Sequence, residues 1–89
     1  MNSLTNYLVL VEVRPRADVA DPAGATVERS LPALGFDGIT QVRVGKAIRF
    51  LVRATSRDEA KLKAERLADT FLANPVIEEA EVSVLSPES

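Results

Sequence analysis

The run from Ile39 to Ala54 constrains the fold more than any other part of this chain. Thr40, Val42 and Val44 alternate with Gln41 and Arg43. After Gly45-Lys46, Ile48, Phe50, Val52 and Ala54 alternate with Arg49, Leu51 and Arg53. Successive side chains of a strand point to opposite faces, so each run offers one apolar face and one mixed face. Two such runs around a glycine-containing turn predict a β-hairpin. A lone hairpin is at best marginal in water, so it needs further strands or a helix on its apolar face.

The flanking segments supply both. Tyr7 to Arg14 is β-branched and apolar, and Pro15 closes it because proline gives no ladder hydrogen bond. Asp21-Pro22 reads as an N-cap followed by proline at the first helical position. Val27, Leu31 and Leu34 then follow at helical spacing, and Gly35 is placed to end the helix in the left-handed conformation. Pro32 removes an amide that would bond Glu28, which predicts a kink or a loosened last turn. Ser56 with Glu59 forms a capping box for a helix to about Ala73, with Ala60, Ala64, Leu67, Ala68 and Phe71 as its apolar face. Glu59 with Lys63 and Lys61 with Glu65 are opposite-charge pairs four residues apart on the wet side. Asn74-Pro75 stops the helix, and Ala80, Val82 and Val84 alternate as a last strand.

The order β-α-β-β-α-β predicts an α+β fold: an antiparallel sheet with two helices on one face, ferredoxin-like or a close relative. Exchange of strands between copies stays open. At 89 residues the chain is read as a single domain, 1–89, ordered over about 6–85, with residues 1–5 as a lead-in and Ser86 to Ser89 as a tail.

Composition narrows the chemistry. With no cysteine and no histidine, thiolate zinc sites, disulfides and Ser-His or Cys-His pairs are ruled out. Eleven Lys and Arg against thirteen Asp and Glu give a net charge of −2, against the basic excess usual in nucleic-acid binders. The N-terminus lacks the pattern of a signal peptide, and the longest apolar run, Tyr7 to Val11, falls far short of the ~20 residues that span a bilayer. These features predict a cytoplasmic chain bound to neither membrane nor nucleic acid. Gly38 to Lys46 echoes a phosphate loop, but its glycine spacing is wrong and Ala47 stands where a Ser or Thr would hold magnesium. Phe50 lies on a core-type face with Ile48 and Val52, which leaves no aromatic platform for stacking bases. Glu78, Glu79 and Glu81 offer too few oxygens for a hard cation and read as a solvated or ion-pairing edge.

The outward face of the sheet is more informative. By alternation Leu8, Leu10 and Leu51 lie opposite the helices, ringed by Glu12, Arg14, Arg43, Arg49, Arg53, Glu79 and Glu81. An apolar centre with a charged rim is the anatomy of a protein interface. Leu8, Leu10, Leu51 and Arg53 are therefore the candidate oligomer interface, and Leu62, on the outer side of the second helix, is a weaker second candidate. The competing reading is that these are scattered exposed leucines of an ordinary surface.

Four segments together resemble a known family: Asp21-Pro22-Ala23-Gly24, Leu34-Gly35-Phe36, Val42-Arg43-Val44-Gly45-Lys46, and Leu72-Ala73-Asn74-Pro75-Val76-Ile77-Glu78. Their order and spacing resemble PurS, the small subunit of phosphoribosylformylglycinamidine (FGAM) synthase, from about Tyr7 to Val84. The resemblance implies a non-catalytic subunit of a complex that uses ATP, magnesium and glutamine, with no cofactor bound by this chain. It implies three partners: further copies of the chain as a dimer or tetramer, a large synthetase subunit, and a glutaminase subunit whose ammonia must reach the synthetase. Arg43, Lys46 and Arg49, grouped at the expected hairpin tip, then become the candidate docking site for a larger subunit, with Asp21 and Gly24 shaping the neighbouring helix entrance; the competing reading is that they are solvated charges or pair with acidic residues of another copy. The alternatives are a βαββαβ regulatory domain that binds an amino acid at a dimer interface, and a small enzyme working with Arg, Asp and Glu alone.

Overall fold

The computed structural model describes residues 3–88. Three strands form one antiparallel sheet: β1 (Thr5–Pro15), β2 (Lys46–Ala54) and β3 (Glu78–Glu88), in the order β2-β1-β3. Two helices accompany them, α1 (Pro22–Ser30) and α2 (Arg57–Leu67). The α+β class and the antiparallel sheet agree with the sequence reading.

The central strand is the most β-branched one. Val9, Val11 and Val13 of β1 are fully buried and meet Ala64 and Ala68 of the second helical segment and Val84 of β3. Their partners across the sheet are fixed by register. Thr5 lies opposite Ala54 and Val13 opposite Lys46 on one side, and Pro15 lies opposite Glu78 on the other. Leu8 faces Ser86 but Val9 faces Val84, so Leu85 is an extra residue that bends β3. β3 runs on through Ser86 and Pro87 to Glu88, beyond the Val84 expected to end it, and Pro87 is tolerated because β3 is an edge strand. Met1, Asn2 and Ser89, part of the expected lead-in and tail, lie outside the described residues.

Both helices start as their caps dictate. The Asp21 carboxylate accepts from Gly24 N–H at 3.0 Å, and Ser56 Oγ accepts from Glu59 N–H at 3.1 Å. The capping box is only half closed, since Glu59 accepts from the Thr55 hydroxyl and lies 3.3 Å from Lys63. Pro32 loosens the end of α1 as expected. The α-helix stops at Ser30, Leu31 N–H bonds Glu28 three residues back, and a 3₁₀ turn over Pro32–Leu34 leads to Gly35 at φ 91°. After Leu67 the second helix widens into a π turn, Ala68–Leu72.

Two expectations need correction. Among the described residues Ile39–Val44 pairs with no strand, so the hairpin is absent there and the sheet has three strands. The reason is local: Gly45 packs on Val13, where a Cβ would stand 2.4 Å from the carbonyl oxygen, and Gln41 at φ 58° breaks the extended run. The connector thus leaves past the end of β2 instead of folding back beside it. Phe71 was expected in the core but is 80% exposed. The buried stripe is Ala60, Ala64 and Ala68, with Leu72 packed next to it, and Leu67 and Phe71 lie on its flank.

Candidate functional site

β1 ends, α1 begins and the connector passes between them at one junction. Asp21, as N-cap of α1, turns one carboxylate oxygen back to Gly24 and the other outward to Val44 N–H, at 2.8 Å. Glu28, two helical turns further on, accepts from Val42 N–H at 2.9 Å. Amides two apart in an extended segment point to the same edge. Two carboxylates of one helix face therefore take the place of a neighbouring strand. The approach is close, since a Cβ at Gly24 would stand 2.3 Å from the Val42 carbonyl oxygen. Arg43 completes the clamp: its guanidinium donates to the carbonyls of Arg16 and Val19 at 2.7 and 2.9 Å and lies 3.9 Å from Asp21.

An open cleft of about 700 Å³ lies over this junction, lined in part by Arg14, Asp21, Glu28, Gln41, Arg43 and Glu79. Its charges are largely engaged already. Arg14 pairs with Glu81 at 3.3 Å, Arg16 with Glu79 at 3.6 Å, and Asp21 and Arg43 bond as described. The Val44 amide, then the Gly24 amide, then the Arg43 guanidinium hold the Asp21 carboxyl below its ordinary value of 3.8. The same bonds that stabilise the charged carboxylate tie the connector to the start of α1, so the junction clamps the chain. The Glu78–Glu81 edge also serves structure: Glu79 and Glu81 carry the ion pairs, and Glu78 accepts from Asn74 N–H at 2.7 Å.

The residues of the expected basic tip are therefore dispersed. Asp21, Gly24 and Arg43 come together, but inside the clamp. Lys46 is exposed at the start of β2, opposite Val13, and Arg49 sits on the outer sheet face opposite Leu10. The four interface candidates lie as alternation requires. Leu8 faces Leu51 directly, Leu10 lies next in register, and Arg53 stands opposite Asn6. Leu51 is 55% exposed, while Leu8 and Leu10 are half-buried by their neighbours. Leu62 is exposed on the far side of α2.

The sequence reading passed over the turn after α2. Arg16 donates twice to the Pro75 carbonyl, at 3.1 and 2.8 Å, while the Asn74 carbonyl accepts from Ile77 and Glu78 N–H. This braced turn presents Val76 at 78% exposure, and Phe71, before it in the chain, is exposed as well. No period or motif marks either residue as outward. The role of Glu28 had a faint signal, since it lies seven residues after Asp21 and so on the same helix face.

Two of the segments that carry the family resemblance are the two braced corners: Asp21–Gly24 at the clamp and Leu72–Glu78 at the turn. The family model for PurS, phosphoribosylformylglycinamidine (FGAM) synthase, matches residues 8–86. This chain belongs to the PurS family. It is 40% identical over 73 residues to the PurS subunit of that synthase from Synechocystis sp., covering 82% of this chain and 73% of the relative. The PurS subunit from Methanocaldococcus jannaschii is 31% identical over 78 residues, 88% of this chain and 94% of the relative. In fold, it resembles the crystal structure of the purS subunit from Thermotoga maritima with a TM-score of 0.86 at 33% identity, over 93% and 95% of the two chains. A chain in the structure of PurLQS from Thermotoga maritima matches with a TM-score of 0.82 at 32% identity, over 90% and 98%.

Proposed function

We propose that this chain is the non-catalytic small subunit of an FGAM synthase in purine biosynthesis, bridging a synthetase and a glutaminase subunit and aiding ammonia transfer between them. One observation carries the reading: a PurS-family chain with its junction charges spent on holding its own backbone keeps an apolar, charge-rimmed sheet face outward. ATP, magnesium and glutamine are then handled by the larger subunits. Among the described residues no helix is long and apolar enough to cross a membrane, and the reading places the complex in the cytoplasm. The chain also associates with itself, and the Leu8, Leu10, Leu51 and Arg53 face is one contact. Burying each leucine contributes ~1.5–3 kcal/mol, a large share of a small domain's net stability.

Docking to a larger subunit then falls to Lys46 and Arg49, since Arg43 is held by its own chain and acts with Asp21 and Gly24 as support. The test is reconstitution with both larger subunits, assayed with glutamine and with added ammonia. Lys46→Glu should lower glutamine-dependent synthesis more than ammonia-dependent synthesis while the purified chain stays folded. Full glutamine-dependent synthesis without this chain would refute the assignment, and equal loss with both nitrogen sources would remove Lys46 from the docking surface.

A further inference from the structure

Between two anchors the connector carries a reactive pair. Phe36 N–H bonds the Leu31 carbonyl at 3.0 Å, and Val42 N–H reaches Glu28 at 2.9 Å. Among the described residues, no amide from Asp37 to Gln41 donates to another backbone group, and Asp37 enters none of the ion pairs. Residues 37–41 therefore form an arch pinned at both feet. Asp37 and Gly38 are both exposed, and they are the one Asp-Gly pair of the chain.

Gly38 turns the arch at φ 80°, a conformation in which any side chain would be strained. A Cβ there would meet nothing within 4 Å, so open space surrounds the residue. The fold thus requires glycine directly after an aspartate, at a place where no backbone bond holds the chain. A carboxyl group one methylene from the main chain can reach the nitrogen of the next residue and close a ring. A side chain on that next residue is the chief obstacle, and here it is missing.

The other aspartates each lack a condition. Asp18 is followed by branched Val19, whose amide is tied to the Arg16 carbonyl at 3.0 Å. Asp21 is followed by Pro22, and its carboxylate is engaged by Gly24 and Val44. Asp58 and Asp69 lie in helical turns, whose backbone angles hold the carboxyl away from the next nitrogen.

We propose that Asp37 is a site of spontaneous covalent modification, isomerising to isoaspartate through a succinimide with Gly38. The Gly38 nitrogen bonds to the side-chain carbonyl carbon of Asp37, and the carboxyl hydroxyl leaves as water with the amide proton. Water then opens the ring. Attack at the side-chain carbonyl restores aspartate. Attack at the main-chain carbonyl breaks the original peptide bond, frees that carboxylate and routes the chain through the Asp37 side chain. One water is released and one consumed, so the mass is unchanged. The product adds a methylene to the main chain of an arch whose feet are fixed at Phe36 and Val42.

Ageing of the full purified chain for weeks at physiological temperature tests it. Isoaspartate is read site by site by electron-transfer mass spectrometry, and in total by an isoaspartyl methyltransferase with a labelled methyl donor. The expected result is at least about tenfold more isoaspartate at Asp37 than at Asp18, Asp21, Asp58 or Asp69. Its rate in the folded chain should lie within about tenfold of that in the same chain unfolded by guanidinium, since the arch is not held. Gly38→Ala should lower the yield at least about tenfold. Asp37→Glu, whose longer side chain closes the ring poorly, should abolish it while the chain stays folded. Isoaspartate at Asp37 no higher than at the other aspartates would overturn the assignment. So would formation more than about tenfold slower in the folded chain, or a yield that Gly38→Ala leaves unchanged. The chemistry is independent of the synthase reading.

Discussion

Gly24→Ala is the most informative single change at the clamp, because two well-known effects oppose each other there. In an exposed helix interior, alanine stabilises by about 1 kcal/mol over glycine. Gly24 is instead buried in the first turn of α1, and the added methyl would stand 2.3 Å from the Val42 carbonyl oxygen and 2.6 Å from an Asp21 carboxylate oxygen. Real Cβ contacts begin near 3.0 Å, so the connector must retreat by most of an ångström. Overpacking of this kind costs about 1–3 kcal/mol, and a backbone obstacle belongs at the upper end. Drawing Val42 away from Glu28 loses a further ~1 kcal/mol. About 3 plus 1 minus 1 leaves a net loss of about 3 kcal/mol. For a domain of this size that lowers Tm by about 12–24 °C. The assay is thermal unfolding by circular dichroism at fixed chain concentration, because the proposed self-association would make Tm depend on concentration. A Gly24→Ala chain as stable as wild type, or more so, would show that helix propensity outweighs the contact and that the clamp does not hold the connector tightly.

Asp21 and Glu59 have carboxyl groups lowered in the folded chain, Asp21 chiefly by the Val44 amide and Glu59 chiefly by the Thr55 hydroxyl. Lowered groups contribute stability that is full above the unfolded-state value and is lost as pH falls through the folded one, so wild type should weaken below about pH 4. Asp21→Asn keeps a helix cap but should flatten this loss in denaturant titrations at pH 7, 5 and 3, and parallel curves for the two proteins would exclude the Asp21 contribution. Val11→Ala, at a fully buried site, should cost ~2 kcal/mol. Phe71→Ala should change the stability of the dilute chain by less than ~0.5 kcal/mol, since Phe71 is 80% exposed, and a large loss there would place Phe71 in the core after all.

Local signals were legible where the partner lay within a few residues in sequence. Asp21, Ser56, Pro32 and Gly35 set helix ends through bonds within a few residues, so their roles needed no tertiary knowledge. The valines of β1 and β3 carry a period of two that burial on one face enforces. The reading of Ile39–Val44 failed because its partners are distant in sequence. Its alternation suits a strand, yet the Val42 and Val44 amides go to Glu28 and Asp21, and Gly45 reads as a hairpin turn although its small size serves a contact with Val13. Arg43 was legible as a charge and not as a clasp, because the carbonyls of Arg16 and Val19 become available only once the loop is built. Phe71 belongs to the same helix row as Leu67, and apolar residues at helical spacing do not reveal which edge of the stripe the sheet will cover.

The stripe of Ala60, Ala64 and Ala68 that seats α2 on the sheet also sets the stiffness of the molecule. Alanine has no rotamer to change, so the contact cannot yield by repacking as a leucine seam would. Two struts tie the same layers crosswise: Arg57 donates to the Val84 carbonyl of β3 and Lys63 to the Arg53 carbonyl of β2. Helix and sheet then move together as one plate. A force applied to the outward side of α2, at Leu62 or at Phe71 beyond its end, would reach the leucines on the opposite sheet face with little lost to internal deformation. Such a plate sets a fixed distance between whatever rests on its two faces.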